Sequence, residues 1–326
     1  MNRKTLLIHV RNILKKRGLT PDEDVKDILK HHMRFFRTRC VDQEGNKFTF
    51  KIYLLKLART RRDFQNEIAF YRYAAKAHLD QFPRWVAGNR NSQNPWIIYH
   101  FIPGELFTNY LRKHQHSLSK NLIQKLTHAL LAYGNLKLPH NVKKQLHLKP
   151  AANNYSDRFR GYLQGNQKNT LLKYLSNAEL EAAARIIAFH QLGMKLKSQT
   201  AVSHGDLSTN NLLIHQQDFA VLDWEHVQFA SPAYDAAEIW VKEFSKAPWR
   251  NHLALRLTKS QANSEAFSWL FCIEVLLFCL RDLLLHDRIL HELHSPKRKR
   301  IVRKLLNYYV KTFRASLRGF SPLLKS

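Results

Sequence analysis

The first half of the chain alternates before its period turns helical. Met33-Arg34-Phe35-Phe36-Arg37-Thr38-Arg39-Cys40-Val41 sets apolar side chains at roughly every second position, the period of a half-buried strand. Glu44-Gly45-Asn46 supplies a turn. Lys47-Phe48-Thr49-Phe50-Lys51-Ile52-Tyr53-Leu54, rich in β-favouring residues, reads as the returning strand. From Ala58 to Ala74 the period changes, and Phe64, Ile68 and Tyr71 share one helical face with Glu67 on the adjoining turn. Within Pro95 to Leu106 lies an apolar strand that ends in Pro103-Gly104. Beyond Glu105 the spacing predicts helices over Ser119–Tyr133, Ser156–Leu163, Asn177–Leu196, Ser231–Lys246, Ser264–Leu293 and Lys297–Leu317. Among them lies a polar loop after Thr200. Two short strands follow it, Leu212–Ile214 and Phe219–Leu222, as a β-hairpin that ends in Asp223-Trp224-Glu225.

Composition narrows the class. With 326 residues and 44% hydrophobic content, the chain buries a real core as one large domain or two lobes, and nothing signals disorder or a fibre. Cys40, Cys272 and Cys279 are odd in number and fit neither a zinc site nor a disulfide framework, which suits a reduced cytosolic compartment. Met1 to Thr20 is basic and amphipathic without the apolar centre of a secretory signal. The run Trp269–Leu280 is too short to span a bilayer and carries Glu274, so it reads as a buried helix. A net charge of +28 makes the surface attractive to polyanions.

The distribution of that charge is more informative than its total. No Lys or Arg occurs between Lys197 and Lys242, while the same window holds Asp206, Asp218, Asp223, Glu225, Asp235 and Glu238. Carboxylate and amide oxygens are what a hard divalent cation requires. Phosphoryl transfer needs a carboxylate that orients the attacking hydroxyl, oxygen ligands for Mg²⁺ and a cation on the phosphates. Asp206 and Asn211 stand in the Asp-x-x-x-x-Asn spacing of a kinase catalytic loop, and Asp223 follows at the end of the next strand.

The segment His204-Gly205-Asp206-Leu207-Ser208-Thr209-Asn210-Asn211, then Asp223-Trp224-Glu225, then Pro232-Ala233-Tyr234-Asp235, resembles the aminoglycoside phosphotransferase and choline kinase superfamily. The resemblance covers most of the chain from Val25 to Val241. It implies an α+β, bilobal protein-kinase-like fold, with a small antiparallel-sheet N-lobe and a mainly helical C-lobe. It further implies ATP and Mg²⁺ as cofactors, Asp206 as catalytic base, Asn211 and Asp223 as metal ligands, and Asp235 as a structural brace. His204 is expected to pack and hydrogen-bond the loop, and Glu225 either to brace the site or to face solvent.

The same resemblance directs attention to an N-lobe lysine and helix glutamate, matched by Lys51 and Glu67. Tyr99-His100-Phe101-Ile102-Pro103-Gly104 resembles the family's hinge, with His100, Phe101 and Ile102 where adenine normally meets backbone. The expected first strand, Val25–Leu29, leads into Lys30-His31-His32 with no glycine, so a Gly-rich phosphate loop is absent. The expected organisation is a basic helix over 1–22, an N-lobe over 23–104 with its hinge near 99–104, a C-lobe over 105–293 and a basic C-terminal helix over 294–326.

Charge then bears on the acceptor. Leu106 to Ser156, where this family builds its acceptor pocket, contains no Asp or Glu. That disfavours cationic acceptors and favours a neutral or anionic hydroxyl compound. Two further readings remain: an atypical protein kinase, and a kinase-fold module that binds a polyanion such as nucleic acid or an anionic membrane through its basic patches. The expected location is cytoplasmic, with surfaces suited to the inner face of a membrane.

Overall fold

The computed structural model describes residues 3–22, 35–54, 58–77, 79, 82–146, 155–193, 200–216, 218–243 and 248–324. The expected strand Val25–Leu29 and the Lys30-His31-His32 that follows it lie outside the described residues. The chain forms two compact units: unit 1 comprises Met1–Glu105, Leu138–Leu148 and Asn211–Val227, and unit 2 comprises Leu106–Lys137, Lys149–Asn210 and Gln228–Ser326.

Unit 1 opens with α1 (Arg3–Lys16) and builds an antiparallel sheet ordered β1-β2-β3-β5-β4. Its strands are β1 (Thr20–Pro21), β2 (Phe35–Val41), β3 (Lys47–Tyr53), β4 (Trp85–Asn89) and β5 (Trp96–His100), with α2 (Ala58–Lys76) between β3 and β4. The expected hairpin forms in register from Phe35 opposite Tyr53 to Val41 opposite Lys47. Strand β3 pairs on both sides and is buried from Phe48 to Tyr53, because each face is covered by a different helix. One face sends Phe48, Phe50 and Ile52 into a core with Leu6, Val10, Ile13 and Leu14 of α1. The other face carries Lys51 and Tyr53 toward α2, where the Tyr53 ring lies 4.1 Å from Phe64. The basic N-terminal segment is thus a structural helix. Its leucine and isoleucine stripe recurs at helical spacing and is buried, while Lys4, Arg11, Lys15 and Lys16 stay exposed.

After β5 the elements are β6 (Glu105–Leu106), α3 (Phe107–Lys113), α4 (Lys120–Gly134), α5 (His140–Gln145), α6 (Tyr155–Tyr162), α7 (Asn166–Leu171) and α8 (Asn177–Gly193). Then come β7 (Ala201–Ser203), β8 (Leu212–His215), β9 (Asp218–Val221), β10 (Gln228–Ala230), α9 (Tyr234–Lys242), α10 (Pro248–Lys259), α11 (Ser264–Glu292), α12 (Pro296–Leu317) and α13 (Phe320–Leu324). The hairpin β8–β9, with Leu212 opposite Val221, belongs to unit 1 although it is encoded more than 100 residues after β5. It meets the turn after β5 closely. Gly104 has φ +155°, and a Cβ placed there would run into the carbonyl oxygen of Ile214.

Unit 2 is helical around α11, whose side chains are buried almost without interruption from Leu270 to Leu280. Glu274 within that run is fully buried. It accepts hydrogen bonds from Ser231 Oγ (2.9 Å) and Tyr155 Oη (3.1 Å) and pairs with Arg158 at 2.9 Å. Ser119 and Asn263 cap α4 and α11 by accepting from the backbone N–H groups of Leu122 and Ala266, which fixes those helix starts. Helix α12 docks Val302, Leu306, Tyr309 and Phe313 into the core and leaves Lys297, Arg300, Lys304 and Lys311 exposed. No helix among the described residues is long and apolar enough to cross a membrane.

Substituting Gly104→Ala adds a side chain both to a backbone conformation that disfavours it and to space held by a carbonyl. We expect a loss of about 1–3 kcal/mol in urea unfolding relative to the parent chain.

Candidate functional site

In unit 1 the chemistry gathers around one buried ammonium. Lys51, at the centre of β3, lies 2.9 Å from Glu67 Oε2 and also pairs with Asp223 Oδ1. Its Nζ lies 4.4 Å from the centre of the Phe35 ring and 5.3 Å from that of Phe64. Burial opposes its charge, but Glu67, Asp223 and Glu225 outweigh that and hold its pKa above the usual lysine range. Burial pushes the Glu67 carboxyl up, to about 8, against the pull of Lys51, and the neighbouring charges of Asp223 and Glu225 push the same way.

Helix α2 explains how these groups meet. Glu67 and Tyr71 lie four residues apart on one face, so the first reaches Lys51 while Tyr71 Oη accepts the backbone N–H of Asp223 at 3.0 Å. Asp223 itself sits in the left-handed region (φ +66°), a conformation Asp tolerates better than most residues. The residue between the two acids is the anchor. Trp224 is fully buried, stacks on Phe70 of α2 at 4.3 Å and donates from Nε1 to the carbonyl of Val221 at 3.0 Å. With Trp224 pinned, Glu225 turns inward: it is buried, accepts from Tyr53 Oη and lies 3.4 Å from His226 Nε2. Of the two expectations for Glu225, the interior one describes the structure.

Carboxylate oxygens of Glu67, Asp223 and Glu225 come within 4.8 Å of one another. Glu67 Oε1 is buried with no hydrogen-bond partner among the described residues. An acceptor-only donor set with an unsatisfied oxygen suits a hard divalent cation. Asn211, in the short 3₁₀ turn Thr209–Asn211, accepts the N–H of Leu222 on its backbone carbonyl at 2.8 Å, which ties it to the residue before Asp223. At the expected hinge the N–H groups of His100 and Phe101 are consumed inside the sheet by the carbonyls of Arg84 and Lys47, both at 2.9 Å. Ile102 N–H has no backbone partner among the described residues. His100 is exposed, and Phe101 and Ile102 are half-buried.

In unit 2 the loop after β7 is organised by one carboxylate. Asp235 Oδ2 accepts from His204 N–H (2.7 Å) and Tyr133 Oη (2.9 Å), and Oδ1 accepts from Ser203 Oγ (2.8 Å) and Gly205 N–H (3.2 Å). Burial, helped by the neighbouring Glu238, raises the Asp235 pKa, partly offset by His204 and the Ser203 hydroxyl. His204 is fully buried, and its Nδ1 accepts the N–H of Asp206 at 3.3 Å, which leaves it inside the loop's own hydrogen-bond network. Gly205 adopts φ +81°, so the loop reverses between the buried His204 and the exposed Asp206.

Two residues of this loop network had no role in the sequence reading beyond the acidic window that contains Glu238 and ends at Lys242. Glu238, one helical turn after Asp235 and fully buried, accepts the N–H of Leu207 at 2.8 Å and pairs with Arg281 at 2.9 Å. Lys242, a further turn along α9, lies 2.6 Å from Asp206 Oδ1 and 3.2 Å from Glu238 Oε1. The signal was present: Asp235, Glu238 and Lys242 recur at three and four residues on one face of a helix that begins at the Pro-x-x-Asp motif. In unit 1, Tyr53 and Tyr71 were likewise read as apolar positions, although their hydroxyls hold Glu225 and the Asp223 backbone.

Comparison with known proteins gives the family and the fold. Residues 35–269 match the model of the phosphotransferase enzyme family APH. The chain belongs to that family. Among solved structures, the GDP complex of aminoglycoside 2′-phosphotransferase-IIIa superposes with a TM-score of 0.60 at 11% identity, covering 93% of this chain and 98% of that one. The macrolide 2′-phosphotransferase MphH from Brachybacterium faecium gives 0.58 at 13% identity, over 93% and 98% of the two chains. A choline/ethanolamine kinase family protein from Mesorhizobium loti gives 0.57 at 13% identity over 90% of each chain. At these identities the likeness shows a shared fold. No curated protein sequence matches the chain.

Replacing Asp235 by Ala strands the Ser203 and Tyr133 hydroxyls and the His204 N–H in a buried space. The expected cost is about 3 kcal/mol or more in chemical denaturation. Tyr71→Phe removes one acceptor and should cost about 1–2 kcal/mol in the same measurement.

Proposed function

We propose that the protein is an ATP- and magnesium-dependent phosphotransferase that moves the γ-phosphate to a hydroxyl of a small molecule or glycan. The observation that carries this reading is the buried Lys51 held by Glu67 and Asp223, in a chain that also presents Asp206 at the tip of a loop braced by Asp235. In this assignment Lys51 grips the nucleotide phosphates and Glu67 fixes it in place. The hinge segment His100-Phe101-Ile102 receives the adenine. Magnesium, when bound through Asp223 and Asn211 with the neighbouring carboxylates, would neutralise charge that builds on the phosphate oxygens.

The remaining steps belong to the chain's own groups. Asp206 orients the acceptor hydroxyl and takes up its proton as the oxygen bonds to the γ-phosphorus. The bond from that phosphorus to the bridging oxygen breaks, and ADP leaves with the electron pair. His204 holds the loop rather than exchanging protons, since its Nδ1 accepts the Asp206 N–H. The acid-free stretch from Leu106 to Ser156 supports a neutral or anionic acceptor. A cytoplasmic location follows from the same reading, because ATP is the donor.

A second role, attachment to an anionic membrane surface or nucleic acid, is favoured by one feature. The solvent face of α12 carries Lys297, Arg298, Arg300, Arg303, Lys304 and Lys311, and no acid occurs after Glu292.

The deciding experiment is Mg²⁺-dependent ATP turnover by the parent chain and Asp206→Asn, with a panel of sugars, an anionic glycolipid, choline and an aminoglycoside, followed by ³¹P NMR. We expect turnover stimulated by one acceptor class and lowered about 10²–10⁴-fold by the substitution. No turnover and no nucleotide-induced thermal shift would instead leave the polyanion-binding module as the reading.

A further inference from the structure

The pair formed by Lys242 and Asp206 is not accounted for by stability. The Asp206 side chain is 51% exposed and that of Lys242 is 24% exposed, and ion pairs in such surroundings contribute little to folding. Nor does the buried Glu238 depend on Lys242. Arg281 lies 2.9 Å from the same Glu238 oxygen, and the Leu207 N–H lies 2.8 Å from the other. Arg281 is in turn fixed by Asp282 at 2.7 Å and by the face of Phe278 at 4.5 Å, so it stays with Glu238. Lys242 is therefore an added cation whose shortest contact is the one carboxylate that the phosphotransferase reading places on the acceptor hydroxyl.

Its position also limits what it does there. An ammonium has three donors, and among the described residues Lys242 Nζ has two partners, Asp206 and Glu238. A group that binds beside Asp206 meets the third donor. Lysine acts as a flexible point charge, suited to a single anionic oxygen. Asp206 and Glu238 are the acids that face it; α3 and α4, which lie in the same unit, contain no Asp or Glu. The acid that follows Lys242 in the chain, Glu243, is engaged by Thr209 Oγ1 at 2.8 Å.

We propose that Lys242 is the specificity-determining residue for the acceptor: it receives an anionic oxygen group, a phosphate or carboxylate, carried by the acceptor close to the hydroxyl that Asp206 orients. This rests on the phosphotransferase reading and adds to it a residue that selects the acceptor by charge. The acceptor's anionic group displaces the Lys242–Asp206 contact on binding, so that the hydroxyl and the lysine exchange places at the aspartate.

The test uses the full chain with Mg²⁺ and a non-hydrolysable ATP analogue, titrated with four sugars on one ring: galactose, galactosamine, galacturonate and galactose 6-phosphate. The parent chain should bind galacturonate or galactose 6-phosphate at least tenfold more tightly than galactose, and the better of these two distinguishes a carboxylate from a phosphate ligand. Lys242→Ala should erase that preference, Lys242→Arg should retain most of it, and Lys242→Glu should turn it toward galactosamine. A merely structural role would weaken all four sugars together and leave their ratio unchanged in Lys242→Ala, which overturns the proposal. Nucleotide binding without any preference among the sugars overturns it equally. The nucleotide titration that precedes the sugars reports separately on the underlying reading, which fails if the parent chain does not bind the analogue.

Discussion

One ammonium buried against three carboxylates sets the layout of unit 1. A lysine in the middle of a sheet with both faces covered is strongly disfavoured unless its charge is matched, so Glu67 and Asp223 must both arrive at the same point. Meeting that demand fixes the face that α2 turns to the sheet, the burial of Trp224 on Phe70, and the left-handed turn at Asp223. The three acids exceed the single lysine in charge. The excess is eased by the Tyr53 hydroxyl, by His226 beside Glu225 and by the raised pKa of Glu67, and it is the kind of excess a divalent cation relieves.

Unit 2 solves a different problem. A loop that leaves one carboxylate exposed must hold one shape without a sheet around it, and it does so by directing donors inward. Ser203, His204, Gly205 and Leu207 each give a hydrogen to Asp235 or Glu238, two acids one turn apart on α9. Asp206 alone in this run points outward, where it meets Lys242 on the next turn of the same helix. The helix that braces the loop thus also supplies the charge beside its exposed carboxylate.

Much of this was legible in the residues. The alternation of β2 and β3 and the helical face of Phe64, Ile68 and Tyr71 identified elements, and the His-Gly-Asp to Pro-x-x-Asp series identified the family, because local periodicity and motif spacing carry that information. What escaped was set by contacts distant in sequence. The role of α1 as the cover of one sheet face was hidden by its basic residues, which are only its solvent side. The hydroxyls of Tyr53 and Tyr71 were hidden because a tyrosine at an apolar position looks like core until its partner is known. The start of α9 at Tyr234 rather than Ser231, and the start of α4 after its Ser119 cap, were boundary shifts of the usual kind.

The discontinuity of unit 1 has a consequence for the life of the chain before it is complete. Its N-terminal sheet is made first, yet the carboxylate that completes the surroundings of Lys51 lies 172 residues further on. At ordinary elongation rates that interval lasts on the order of 10–30 s. During it the emerging polypeptide holds a charged side chain, a tyrosine and the aromatic face of α2 without their final cover. Contacts this distant also make assembly slow relative to helical hairpins. The nascent sheet is therefore the stage at which a chaperone has most to shield, and the arrival of Trp224 at the ribosome exit is the event that closes it.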